Sequence, residues 1–166
     1  ITAVNDAPTL DLSTADGAVA TGYNTAYTER STTGVAITGS VAIGDVDSTQ
    51  MQSATITLKN ASSGDVLSSS LVAVGGTYKG ITVTSVGTDV SGKIVLTLSG
   101  VADAATYKTL LESFQYSSTS KYPTLGDRII DVAVTDNEGG NSLSSLAATT
   151  TITVKPQVYT PVTEGG

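Results

Sequence analysis

The chain has 166 residues, which suits one domain or two very small ones, and a single core of this size holds without staples. It has no Cys, His or Trp, which removes disulfides, the commonest general base and the usual transition-metal ligands. A net charge of −7, from 8 Lys+Arg against 15 Asp+Glu, repels nucleic acid and anionic lipid and favours cations.

Only 14% of residues are charged and 39% are hydrophobic, so this is not a disordered polyanion. No run approaches the roughly 20 apolar residues needed to span a bilayer. The opening at Ile1 falls mid-pattern without a signal peptide, so the chain reads as a piece of something longer.

Short β-branched runs separated by Gly, Asn, Asp and Ser clusters predict an all-β sandwich. In chain order the expected strands are Thr9–Leu12, Gly34–Thr38, Ala54–Asn60, Ile81–Val86, Lys93–Ser99, Phe114–Ser118, Arg128–Thr135 and Thr149–Lys155. Strict alternation in Ala54-Thr55-Ile56-Thr57-Leu58 and Thr151-Ile152-Thr153-Val154 puts one face on a core and one in water. The segment 62–92 is longer than a plain sandwich needs, and an extra hairpin is expected there, turning at Gly75-Gly76 or at Asp89–Gly92.

One stretch has helical spacing. Tyr107, Leu110, Leu111 and Phe114 fall at i, i+3, i+4 and i+7, and Asp103 stands where an N-cap would. This predicts a short helix over about 103–114 with its apolar stripe on the core. The tail 156–166 has two prolines and ends in Gly-Gly, as a linker does, leaving 1–155 as the domain.

Strand direction organises the acidic loops. If the N-terminus lies at the top of a seven-strand Greek-key sandwich, Asp45-Val46-Asp47-Ser48 follows an upward strand, as does Asp136-Asn137-Glu138. Asn5 and Asp6 begin at the same end. Carboxylates gathered so repel by about 1 kcal/mol per close pair even in water, and a divalent cation relieves that. Calcium suits an all-oxygen donor set, whereas zinc would want His or Cys. Each acid also has a plainer role. Asp-x-Asp in a turn forms Asx hydrogen bonds, Asp127-Arg128 reads equally as a surface ion pair, Asp131 as a solvated strand residue, and Asp65 and Asp89 as turn formers.

Four segments, taken in order, carry a resemblance. They are Val4-Asn5-Asp6-Ala7-Pro8; Tyr27-Thr28-Glu29 leading to Gly44-Asp45-Val46-Asp47-Ser48; Leu98-Ser99-Gly100 through Tyr107 to Phe114-Gln115-Tyr116-Ser117-Ser118; and Gly126-Asp127-Arg128 through Val134-Thr135-Asp136-Asn137-Glu138-Gly139-Gly140. Together they resemble the cadherin-like, immunoglobulin-like tandem repeats of large bacterial adhesins, including the RTX-type ones. The match runs from about Ile1 to Val154. The tail Val162-Thr163-Glu164-Gly165-Gly166 echoes Tyr27-Thr28-Glu29.

The resemblance implies a calcium-stabilised spacer repeat, secreted to a bacterial surface, that supports adhesion and biofilm formation. Its partners would be neighbouring repeats, with a surface glycan or protein reached through other modules, and the isolated domain would be a monomer. It implies metal ligation by Asp45, Asp47, Asp136, Asp6 and Asn5 at the top, and by Glu29 and Asp127 at the opposite pole, where the counterparts meet the following linker. Here that linker is Lys155-Pro156-Gln157-Val158, which carries no acid, so the lower site is expected to be weak or absent. Ala3 and Ala7 stand where fuller cadherin linkers carry Asp and Asn, which favours one or two ions over three.

The alternative is a calcium-dependent module that binds a carbohydrate or peptide through the 62–92 segment. Tyr78 is the one aromatic there, where sugar sites usually want stacking rings. Catalysis is not expected: there is no nucleophile elbow and no phosphate loop, and the aromatic lining of a glycosidase cleft is missing.

Overall fold

The structure is a computed structural model and describes residues 4–15, 21–88 and 92–158. The expected Asp89–Gly92 turn, apart from Gly92, and the 162–166 echo lie outside the described residues.

Period-two alternation sets the largest sheet. In β5 (Gln50–Leu58) the buried side chains are Met51, Ala54, Ile56 and Leu58. In β11 (Gly126–Asp136) they are Arg128, Ile130, Val132, Val134 and Asp136, and in β12 (Ala148–Lys155) Ala148, Thr150, Ile152 and Val154. With β2 (Tyr23–Thr28), β7 (Thr77–Tyr78), β8 (Ile81–Thr88) and β9 (Ile94–Asp103) they form a seven-stranded sheet in the order β2-β12-β11-β5-β9-β8-β7. Neighbours pair antiparallel except β2 and β12, which run parallel from Tyr23–Thr150 to Thr28–Lys155.

A second sheet of β3 (Val35–Ala36), β10 (Phe114–Ser118) and β6 (Asp65–Ser69) shares one apolar core with it. Tyr27 of β2 meets Tyr116 of β10 edge to face, with ring centroids 5.3 Å apart. A two-stranded pair, β1 (Thr9–Asp11) with β4 (Ala42–Gly44), stands beside them. The molecule is thus an all-β sandwich with one short helix, and among the described residues no helix is long and apolar enough to cross a membrane.

That helix, α1 (Ala104–Leu111), lies where the spacing puts it. Tyr107, Leu110 and Leu111 are buried, with Phe114 just beyond. Asp103 holds the extended N-cap conformation, but its carboxylate accepts from Gln50 Nε2 instead of a helix N–H. Burial works against the charged Glu112, yet bonds from Lys108 Nζ (2.7 Å) and the Val41 N–H (2.9 Å) outweigh it and hold its carboxyl below the usual range.

The extra hairpin of 62–92 is β7–β8. It turns at Lys79-Gly80, both with positive φ (46° and 88°), and not at Gly75-Gly76. Two successive left-handed residues are what a two-residue hairpin loop requires. The rest of the segment is built into the fold, since β6 belongs to the second sheet and β8 pairs along β9.

Two other readings change. Asp127-Arg128 is not a surface ion pair, because Arg128 points inward and bonds Asp65 Oδ2 through Nε at 2.6 Å. Asp65 does close a turn, its Oδ2 accepting the Ser62 N–H at 2.9 Å and its own N–H donating to the Ser62 carbonyl at 3.0 Å, and its side chain is at the same time buried against Arg128. Asp131 is not merely solvated: it sits 3.4 Å from Lys59 Nζ and accepts from the Thr149 hydroxyl.

Two buried phenols make the fold sensitive to alkali. Burial pushes Tyr107 up to about 12, and Tyr116 is raised as well, first by burial and then by its bond to Asp65. Unfolded tyrosines ionise near pH 10, so above that the unfolded chain releases protons the folded one keeps. Stability is therefore fully present below about pH 10 and falls as pH rises toward the folded values. Urea midpoints should be level to about pH 10 and drop beyond it, less steeply in Tyr107→Phe; equal slopes in parent and variant would remove Tyr107 as a cause.

Candidate functional site

β4 runs upward into Asp45 and β11 upward into Asp136, so both loops open at the end of the sandwich where the chain enters at Val4. The N-terminal segment is laced to both. The Asp6 N–H donates to Asp47 Oδ2 at 2.5 Å, and Asn5 Nδ2 donates to Asp136 Oδ2 at 2.8 Å and to the Asn141 carbonyl at 3.0 Å. Asn5, Asp6, Asp45, Asp47 and Asp136 thus stand at one pole, as strand direction implies.

Local chemistry holds each acid. Asp45 Oδ1 accepts the N–H groups of Asp47 (2.8 Å) and Ser48 (3.1 Å), an Asx turn that fixes the loop. Asp136 lies on the inward face of β11 and is fully buried. Its Oδ1 accepts the Leu143 N–H at 2.9 Å, so both its oxygens have donors.

Two acceptor oxygens at this pole find no partner among the described residues and are sealed from solvent: Asn5 Oδ1 and Asp45 Oδ2. A buried acceptor without a donor costs about 1–3 kcal/mol, and a cation is one way of satisfying it. Clefts flank the loop. One of about 280 Å³ is lined by Val4, Asn5, Asp47, Glu138 and Asn141. Another of about 440 Å³ lies against Asp6, Ala7, Thr9, Gly44, Asp45 and Val46. Among the described residues no three acidic side chains are grouped closely enough to hold a metal by themselves. A bound ion would have to complete its shell with Asn5 Oδ1, backbone carbonyls and water.

Glu138 and Asn141 were not among the expected site residues. The 3₁₀ turn Gly139–Asn141 folds them back over the cleft. The acidic, Gly-rich run after Asp136 was the available signal, but the turn that aims Asn141 at Asn5 has none.

Glu29 and Asp127 lie at the opposite pole. Glu29 Oε1 accepts the Gln157 N–H at 3.0 Å, so it does meet the segment that follows β12. Asp127 Oδ1 accepts from the Thr153 hydroxyl at 2.8 Å, and its carbonyl takes Asn60 Nδ2 at 2.7 Å. Both acids are engaged by neutral donors, and neither touches the five residues of the upper pole.

Comparison of the chain with family models, curated proteins and solved structures finds no match in any of the three.

Proposed function

We propose that this chain is a calcium-stabilised spacer repeat of a bacterial surface adhesin, of immunoglobulin- or cadherin-like Greek-key type, working outside the cell between neighbouring repeats. The observation that carries the reading is the junction at the acidic pole. The entering segment is bonded to Asp47 and Asp136, and beside it two sealed oxygens, on Asn5 and Asp45, find no partner among the described residues. The donors are all oxygen, which fits calcium with its six to eight flexible ligands. Asn5, Asp45 and Asp47 would hold the ion, and its role would be to bind the entering segment to the loop and stiffen the junction. At the lower pole Glu29 holds Gln157 by a direct hydrogen bond, which supports a junction there without an ion. The 62–92 segment is built into both sheets, and no observation favours a ligand-binding module there.

Extracellular calcium modules bind at about 10⁻⁴–10⁻³ M. At roughly 10 mM calcium, linkage then adds about 1.4–2.7 kcal/mol of stability. For a chain of this size that raises Tm by about 3–10 °C. Melting curves with calcium and with chelator check this. Asp45→Ala combined with Asp47→Ala should remove most of the rise and leave the sandwich folded. No calcium shift in the parent would sink the reading, and a full shift in the double variant would place the ion elsewhere.

A further inference from the structure

Among the described residues two that are not glycine hold a left-handed φ, Arg30 (65°) and Lys79 (46°), and each is a cation set beside a tyrosine. Lys79 belongs to the two-residue hairpin loop, whose geometry calls for that φ. Arg30 is the third residue of the turn Thr28–Ser31, which the Ser31 N–H closes on the Thr28 carbonyl at 3.1 Å. A positive φ at that place in a turn favours Gly or Asn. An arginine kept in a glycine's position points to a use for its side chain.

That side chain reaches Tyr122. The guanidinium lies 6.0 Å from the ring centroid, and the ring is 73% exposed. Both loops are braced from beneath. The hydroxyl of the buried Tyr27 accepts the Ser118 N–H at 3.3 Å and stands 3.3 Å from the Ser31 carbonyl. Ser118 Oγ takes the Ser120 N–H and Ser120 Oγ the Tyr122 N–H, each at 3.2 Å, and Pro123 is buried. Lys121 precedes the ring and is exposed, and Lys155, also exposed, pairs with Thr28 at the foot of the turn. Among the described residues none of Arg30, Lys121 and Lys155 is in an ion pair. An open aromatic ring is thus held beside unpaired cations at the lower pole.

We propose that this platform binds an acidic sugar chain, a polymer of uronic acid residues. A pyranose uronate carries a C–H face and a carboxylate on one rigid ring. The face stacks on Tyr122. The carboxylate meets Arg30, whose planar fork can take it in two parallel bonds. Lys121 and Lys155 serve the carboxylates of neighbouring sugars. A neutral sugar would leave the cations unused, and a bare anion would leave the ring unused. An extended acidic peptide would want a groove or a sheet edge for its backbone, which these two loops do not supply. The net charge of −7 does not forbid the contact, because charges beyond about 10 Å are screened at 0.1 M salt. Glu29 and Asp127 share this pole, held by the Gln157 N–H and the Thr153 hydroxyl, and their charge weakens each contact. Binding is therefore weak per sugar and gains from repetition along the glycan. The site shares no residue with the acidic upper pole and does not rest on calcium.

An NMR titration of the 166-residue chain with tetragalacturonate tests it, at up to about 10 mM glycan, which populates a millimolar site. Chelator is present throughout, so calcium cannot bridge the glycan to the acidic loops. Shifts should move at Arg30, Lys121 and Tyr122, and binding should weaken between about 100 mM and about 500 mM NaCl. Tyr122→Ala, Lys121→Glu and Arg30→Gly should each weaken it by at least about threefold. Arg30→Gly should leave Tm level or raise it, since Gly suits the turn; a fall in Tm that tracks the loss of binding would show that Arg30 serves the fold, and overturns the proposal. Circular dichroism confirms that the other two variants fold. No binding by the parent overturns it too, as does full binding by all three variants. So does equal binding of neutral galactotetraose, of acetate or of tetra-aspartate, which would point to an unselective surface, a bare anion or an acidic peptide.

Discussion

Arg128→Met should destabilise the fold by about 3–5 kcal/mol, the loss expected when one partner of a buried ion pair is removed. Arg128 is 2% exposed and Asp65 is as deeply covered. The guanidinium bonds Asp65 Oδ2 through Nε at 2.6 Å and the Thr124 carbonyl through Nη2 at 2.8 Å. Without it the carboxylate keeps only the Tyr116 hydroxyl (2.7 Å) and the Ser62 N–H (2.9 Å) as donors, with no compensating charge. The pair also ties β11 of the large sheet to β6 of the small one, so the damage falls between the layers. At about 2–4 °C per kcal/mol, Tm should drop by roughly 6–20 °C. Adding Asp65→Leu and Tyr116→Phe to Arg128→Met should recover much of the loss, because no buried charge is then left alone. Urea unfolding of the single and triple variants measures both. A single-variant loss under about 1 kcal/mol, the value of an exposed pair, would contradict the buried geometry.

Gly100→Ala should be nearly as damaging. Ser53 pairs with Ser99 and Met51 with Ala102, so Gly100 and Val101 on β9 oppose Gln52 alone on β5. This is a bulge, and Gly100 takes φ +144° within it. A Cβ there would stand 2.0 Å from the Gly80 carbonyl oxygen, which belongs to the backbone of the β7–β8 turn and cannot swing aside. The strained φ alone costs about 1–3 kcal/mol, and moving the turn adds to it. The Gly100 carbonyl also receives the Tyr107 hydroxyl at 2.5 Å, so displacement of the bulge loosens the helix as well. A loss of at least about 2 kcal/mol is expected, with tyrosine fluorescence changing along with stability. Gly75→Ala is a useful comparison: it has positive φ too (94°), but its Cβ would meet nothing within 4 Å. Equal effects of the two would show that φ, and not the clash, decides.

Much of the scaffold could be read from the residues because it obeys simple periods. β11 and β12 alternate strictly, β5 does so from Ala54 to Leu58, and α1 repeats its apolar residues at helical spacing, so over these stretches tertiary packing had nothing to override. β2 escaped because it is an edge strand whose one fully buried side chain is Tyr27, leaving no alternation to find. β6 escaped similarly, with Leu67 its only buried apolar residue. Arg128 was misread although the signal was there. It lies in phase with Ile130, Val132 and Val134, and continuing that phase reaches Asp136, so both charged residues belong to the inward face. Its partner is 63 positions away, and no local rule joins them. At the acidic pole, strand direction was enough to bring Asn5, Asp6, Asp47 and Asp136 together. Which oxygens would be taken by N–H donors, and which left alone, depends on bond geometry that sequence spacing does not carry.

The parallel pairing of β2 with β12 has a consequence for a chain held at both ends. β12 enters its sheet at the upper pole and leaves at the lower one, bonded along its length to β11 on one side and β2 on the other. Tension between Asn5 and Gln157 runs along that strand, while the ladder bonds lie across it. The pairs with β2, from Tyr23–Thr150 to Thr28–Lys155, therefore share the load together and cannot be opened one at a time from an end. Resistance to pulling is a rate, set by the unfolding barrier. A domain that is only ordinarily stable at rest can in this way yield slowly under load.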